Sequence, residues 1–332
     1  MGDPLVVARI THLIASALVA GTILFVHVVA EPVFRQKSAP PVLVAWFGAR
    51  TASLVWVSLA VALASGTAWL LILAAKIGGQ SIADALTTDT ASVLLTETTF
   101  GLIWQVRLVL AALLTAGLLL RARTPAGGRL LGWFAVIVSA CLVGSLAFVG
   151  HAGATPGSAG TLHAAADCLH AIAAAAWLGG LPALVLFIRP QRTMSNDDDP
   201  MIAADAVRRF STLGIAAVGT LVASGAVNAW FLAGSIDAVI QTDYGRLLSA
   251  KLALFLAMVC LAAVNRLRLM PRLAADNSSA DRDGDAIRAI RRHALIELAL
   301  GLGVFVIVGI LGTIPPGGHA HEPGHDHLLH TD

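Results

Sequence analysis

The chain has 332 residues, of which 57% are hydrophobic and 13% charged, with a mean hydropathy of +0.80 and a net charge of +2. A soluble domain carries about 25% charged residues, so a water-soluble globule is excluded, and the charge balance gives no reason to expect nucleic acid. The three cysteines, Cys141, Cys168 and Cys260, fall within apolar runs with no CxxC spacing, which argues against a disulfide framework.

Apolar runs of 18 residues or more recur along the whole length and predict a polytopic α-helical membrane protein. They are too long for barrel strands. In chain order the expected spans are 5–30, 51–75, 99–120, 130–150, 163–188, 211–233, 246–267 and 294–313. The first is longer than the apolar core of a signal peptide and is expected to be retained. The polar stretches "TMSNDDDP" (193–200) and "ADNSSADRDGD" (275–285) read as loops of low order.

Segments 31–50, 121–129, 189–209 and 266–292 hold all but five of the 22 Lys and Arg residues. They follow alternate spans, so by the positive-inside rule they are cytoplasmic and both termini face outward, into the periplasm of a bacterial inner-membrane protein.

An internal repeat is visible. "THLIASALVAG" (11–21) matches "LHAIAAAAWLG" (169–179), pairing His12 with His170 and Gly21 with Gly179. "ASGTAWLL" (64–71) matches "ASGAVNAWFL" (223–232). "FGLIWQVRL" (100–108) matches "YGRLLSAKL" (244–252), pairing Arg107 with Lys251. The expected architecture is all-α, with one four-helix unit over 1–150, a second of like topology over 151–316, and a His-rich periplasmic tail over 317–332.

The chemistry gathers at the outer side. In the fifth span His163, Asp167 and His170 fall at i, i+4 and i+7 on one face, and Trp177 continues that stripe. His151 ends the fourth span on the same side, so His151, His163 and Asp167 form a candidate outer metal site. His12 and His170 lie roughly 10 Å deeper, at 1.5 Å per residue. The tail adds His319, His321, His325, His327 and His330, a compositional metal-binding signal. Arg107 and Lys251 are awkward for a cation path and are read as gating or pairing residues, with Asp167, Glu97 or Asp243 as partners. Imidazole suits copper, zinc, iron and nickel alike. Two histidines at equal depth also suit a b-type haem, which would make the chain an electron-transfer protein.

The chain resembles the CopD family of bacterial copper-resistance and copper-uptake membrane proteins along essentially all eight spans. The residues that carry the resemblance are "LLTETTFGLIWQVRL" (94–108), "GHA…LH…D.LHAIAAAAWLGGL" (150–181), "VRRFSTL" (207–213), "SGAVNA" (224–229), "TDYGRLLSAKLALF" (242–255), "NRLRLMP" (265–271) and the last span from Glu297 to "LGTIPP". The resemblance implies copper, Cu(I) or Cu(II), handled across the inner membrane beside a periplasmic CopC-type partner. There is no GxxxxGK[ST] phosphate loop, and the longest cytoplasmic loop is under about 30 residues. The expected function is therefore copper binding and uptake without ATP hydrolysis and without enzymatic chemistry, possible also in a homo-oligomer. A copper dock or sensor that does not transport is the further alternative.

Overall fold

The computed structural model describes residues 3–124, 128–149, 157–188, 199–232, 242–274 and 280–314. Among them every regular element is helical and there is no strand. Eight helices are long and apolar enough to cross a membrane: α1 (Pro4–Gln36), α2 (Pro41–Gly78), α5 (Thr99–Arg123), α6 (Gly128–Val149), α7 (Ala159–Phe187), α8 (Met201–Phe231), α9 (Asp243–Leu273) and α10 (Gly284–Leu311). The chain is a multi-pass membrane protein. Two short helices, α3 (Ile82–Thr87) and α4 (Thr90–Glu97), lie in the connection between α2 and α5.

Helices α2, α8 and α10 begin about ten residues before the spans expected from hydropathy. Hydropathy stops at the first charges, whereas backbone hydrogen bonding continues wherever one helix face can still pack. The second polar stretch is corrected in the same way, because residues 280–285 belong to the start of the last helix. Residues 193–198 and 275–279 lie outside the described residues.

Local chemistry sets the helix ends. Asp3 accepts from the Leu5 amide at 3.0 Å, with Pro4 at the first helical position, an N-cap that starts α1. Gly79, at φ 60°, closes α2 with its amide directed to Ala75 and Lys76 carbonyls, a left-handed cap that favours glycine. Thr98 accepts from the Gly101 amide at 3.0 Å to start α5, and Thr242 accepts from the Gly245 amide at 3.0 Å to start α9. Gly101 and Gly245 are paired by the internal sequence match, and Thr98 and Thr242 stand the same two residues before its start.

Helix α1 is the central element. Of its apolar window 67% is buried, against 6% for α9, which is peripheral. It packs on α2, α6, α7 and α10. Where α1 meets α7, Gly21 faces Gly179 backbone to backbone. Both helices turn π-helical nearby, at Phe25–Ala30 and at Ala175–Gly179. Beyond this crossing an aromatic cluster joins α1 and α2 to α7 and α8, with Phe25 against Phe47, Phe187 and Phe210 at centroid distances of 6.2, 6.0 and 5.6 Å.

Candidate functional site

Two polar clusters sit inside the apolar bundle, one around His12 and one around His170. His12 is 2% exposed. Its Nδ1 lies 2.8 Å from the Ala62 carbonyl of α2, and its Nε2 lies 2.6 Å from a terminal nitrogen of Arg107 on α5. A guanidinium only donates, so Nε2 accepts and Nδ1 carries the hydrogen that Ala62 receives. Ser65, 3.5 Å from Nδ1, donates its own hydroxyl to the Val61 carbonyl at 2.6 Å. Trp69 and Trp104 wall the ring edge-on, at centroid distances of 5.9 and 5.1 Å.

The second cluster repeats the anchoring. His170 Nδ1 lies 3.0 Å from Ser224 Oγ, and Ser224 donates to the Thr220 carbonyl at 2.5 Å. The serine hydrogen is thus engaged, so the serine oxygen accepts from His170 Nδ1–H. Both histidines are therefore held as the Nδ1–H tautomer, which leaves Nε2 as the nitrogen with the free lone pair, accepting from Arg107 at His12. The serine of the matched "ASG" segments stands beside Nδ1 in both clusters, Ser65 at 3.5 Å from His12 and Ser224 at 3.0 Å from His170, while the His12 hydrogen goes to the Ala62 carbonyl. Lys251 stands within electrostatic reach of His170 and Asp167.

The helical stripe expected in α7 is present, and it faces α8. His163 stacks on Phe231 at 4.7 Å and 10°, Asp167 accepts from Asn228 Nδ2 at 3.1 Å, and His170 meets Ser224. The partners run 231, 228, 224 because the two helices are antiparallel. His163 is buried at 2% exposure. Trp177 continues into the core, where its indole faces Glu297 and packs on Phe255.

Other expectations need correction or fall outside what is described. Arg107 neither reaches the surface nor pairs with a carboxylate; it is 3% exposed and donates to the Leu142 carbonyl at 2.6 Å, to Ser145 Oγ at 2.7 Å and to His12. These two acceptors stand where α6 passes from α-helix into a 3-10 turn at Ser145–Val149, which frees carbonyls from the i to i−4 ladder. His12 and His170 occupy separate clusters, each with neighbours of its own half. Among the described residues no group of three His, Cys, Asp or Glu side chains is disposed to hold a metal. His151 and the tail histidines His319, His321, His325, His327 and His330 lie outside the described residues.

At the Arg-rich end two further His–Glu pairs occur at i, i+4. His27 Nδ1 meets Glu31 at 3.1 Å, Glu31 pairs with Arg121, and Trp133 packs edge-on to His27 at 4.7 Å. In α10, His293 Nδ1 lies 2.6 Å from Asn265 Oδ1, and Asn265 Nδ2 donates to Glu297 at 3.2 Å. Sequence reading did not single out Ser65, Ser224, Asn228, Ser145 or this second pair, which the structure places against the candidate residues. The doubled "ASG" was the available signal for the serines; the His293–Asn265–Glu297 chain has none, since it joins α9 to α10 through space.

Comparison with known proteins follows this geometry. Residues 204–311 match the family described as copper resistance protein D, and residues 1–161 match copper resistance protein D-like, N-terminal domain. Copper resistance protein D of Pseudomonas syringae pv. tomato is 31% identical over 232 residues, covering 68% of this chain and 72% of that protein. The chain belongs to the copper resistance protein D family. The inner membrane protein YebZ of Escherichia coli is 32% identical over 220 residues, covering 66% of this chain and 70% of its own length. The copper transport protein CutJ of Bacillus subtilis is 30% identical over 229 residues, 68% of this chain but 39% of that longer protein. No solved structure matches the chain significantly. Family membership and eight apolar helices together give a copper-related membrane function.

Proposed function

We propose that this chain carries copper ions inward across the bacterial inner membrane without hydrolysing ATP, as a carrier and not an enzyme. The observation that carries the reading is the matched pair of buried histidines, each anchored through Nδ1 so that Nε2 is presented for ligation. His151, His163 and the tail histidines capture copper on the periplasmic side, delivered there by a CopC-type partner. His12 and His170 receive it within the bundle, and it leaves at the Arg-rich, cytoplasmic end. The doubled caps and doubled "ASG" anchors support a duplicated four-helix unit, with the two histidine clusters as its equivalent stations.

The driving force is physical. A cation entering a negative interior gains about 2.3 kcal/mol per charge per 100 mV, so inward movement needs no nucleotide. Arg107 acts as the gate of the first station, because its hydrogen bond occupies His12 Nε2 and must swing away before copper binds. Lys251 gates the second station from beside Asp167.

The test is copper uptake by cells that lack other importers and express the wild type, His12→Ala or His170→Ala, with membrane levels matched by immunoblot. Uptake is expected to fall toward background in each variant. Unchanged uptake in both would overturn the proposal. A Soret band in the purified protein, lost in His170→Ala, would transfer the histidines to a haem.

A further inference from the structure

A cavity of about 210 Å³ lies beside His12, bounded by α1, α2, α4, α5 and α6. Its polar lining is His12 and Ser16 from α1, Thr67 from α2, and Trp104 and Arg107 from α5; the rest is glycine and aliphatic, and no Asp or Glu lines it. Ser16 and His12 are one turn apart on α1, as Trp104 and Arg107 are on α5, so each helix turns one face to the cavity.

Two features of this cavity are unbalanced. The first is charge. Arg107 carries its positive charge at neutral pH, and among the described residues its terminal nitrogens donate only to neutral acceptors, the Leu142 carbonyl, Ser145 Oγ and His12 Nε2. Among the described residues no ion pair includes Arg107. A buried charge without a counter-charge is costly within a membrane. The second is hydrogen bonding. Ser16 Oγ, Trp104 Nε1 and Arg107 Nε are buried and have no hydrogen-bond partner among the described residues. Buried polar groups in native proteins nearly always have one. All three can donate, and Arg107 lies over the Trp104 ring at 5.2 Å, which brings two of them together.

We infer that the cavity beside His12 binds a small monovalent anion, held by Arg107, Trp104 and Ser16. The anion supplies both missing features, a negative charge for the guanidinium and an acceptor for the three donors. Water would satisfy the donors but leave the charge. An anion here also lowers the electrostatic barrier that Arg107 raises against a cation at His12. The inference rests on the geometry around Arg107 and stands independently of transport.

The experiment uses the purified, copper-free full chain in detergent and titrates sodium iodide against sodium gluconate at constant ionic strength, reading tryptophan fluorescence. Iodide quenches an indole it touches. A saturable quenching component is expected on top of the linear collisional one. Trp104→Phe, which keeps the ring and removes Nε1 and the reporter, is expected to abolish the saturable component. Ser16→Ala, a small change on a buried face, is expected to raise the half-saturating iodide concentration about tenfold, as for loss of one hydrogen bond to an ion. Purely linear quenching of the wild type, or a saturable component that survives Trp104→Phe, would overturn the assignment. An unshifted midpoint in Ser16→Ala would remove Ser16 from the site. Because copper is absent throughout, failure here leaves the uptake experiment untouched, and the converse also holds.

Discussion

Gly21 and Gly179 bring α1 and α7 into backbone contact: a Cβ placed on Gly21 would stand 2.2 Å from the carbonyl carbon of Gly179, and one on Gly179 would stand 1.9 Å from the Ala17 carbonyl oxygen. Lipid gives no hydrophobic drive between helices, so association depends on close packing, which small residues permit. These two glycines are paired by the internal sequence match, and the crossing they make joins α1 to α7.

Alanine at either crossing position is therefore expected to destabilise the protein strongly, at or beyond the upper end of the roughly 1–3 kcal/mol typical of overpacking. The obstacle is main chain, which cannot rotate aside. At Gly214 and Gly219 nothing lies within 4 Å of an added Cβ, so Gly214→Ala or Gly219→Ala should leave the melting temperature unchanged or raise it slightly through helix propensity. Thermal melts of the detergent-purified variants check the contrast; equal melting of Gly179→Ala and Gly214→Ala would refute it.

Arg107→Lys is not a conservative change here. The guanidinium reaches Leu142, Ser145 and His12 at once, at 2.6, 2.7 and 2.6 Å, whereas a single ammonium on a flexible stem cannot span that fork. Hydrogen bonds to charged groups contribute about 1.5–3 kcal/mol each, and losing one of them is the minimum expected cost. The melting temperature should drop clearly, and retention of the wild-type value would show that the fork is dispensable.

Glu297 is 3% exposed, and Asn265 and Trp177 face it. Glu297→Gln keeps an acceptor oxygen and nearly the same volume, so stability should be close to wild type. Glu297→Ala removes the acceptor and leaves the Asn265 amide unpaired, at a cost of about 1–3 kcal/mol. If the glutamine variant is as damaged as the alanine one, the buried carboxyl matters through its charge or proton and not through hydrogen bonding alone.

At the start of α1, the hydrogen bond from Lys76 at 2.6 Å, helped by the Leu5 amide, holds the Asp3 carboxyl below its ordinary pKa. A depressed folded-state pKa means the ionised carboxylate favours the folded chain at neutral pH, and that contribution fades as pH falls through the carboxylate range. Asp3→Asn keeps an N-cap but loses the ion pair. It should melt slightly below wild type at pH 7 and alongside it in acid, and high salt should narrow the gap at pH 7, since the pair is exposed. A difference that persists unchanged into acid would point to the cap instead.

Legibility in the sequence varied with the range of the interaction involved. The stripe of His163, Asp167 and His170 was readable because three positions at i, i+4 and i+7 must share a face of any helix. What that stripe meets was not, since Phe231, Asn228 and Ser224 are brought up by an antiparallel neighbour whose register no periodicity reports. The starts of α2, α8 and α10 were placed late because hydropathy measures the apolar slab and not the length of the hydrogen-bonded helix. Arg107 was the largest departure. Acids were the partners that a linear pattern offered it, whereas its acceptors are a carbonyl and a serine hydroxyl where α6 changes from α-helix to 3-10 helix at Ser145.

Composition alone determined that this chain lives in a membrane, because 57% hydrophobic residues in runs of this length cannot be covered by water-facing polar groups. The motifs spread along those runs carried the family. Only the tertiary structure decided which nitrogen of His12 and His170 is presented, what occupies it, and that a cationic, donor-rich cavity lies beside the first. Those outcomes depend on contacts between residues 50 to 95 positions apart around His12 and 54 apart around His170. A hydrogen bond is set within tenths of an ångström by how helices cross and rotate, and a linear pattern of apolar and polar residues does not encode that rotation.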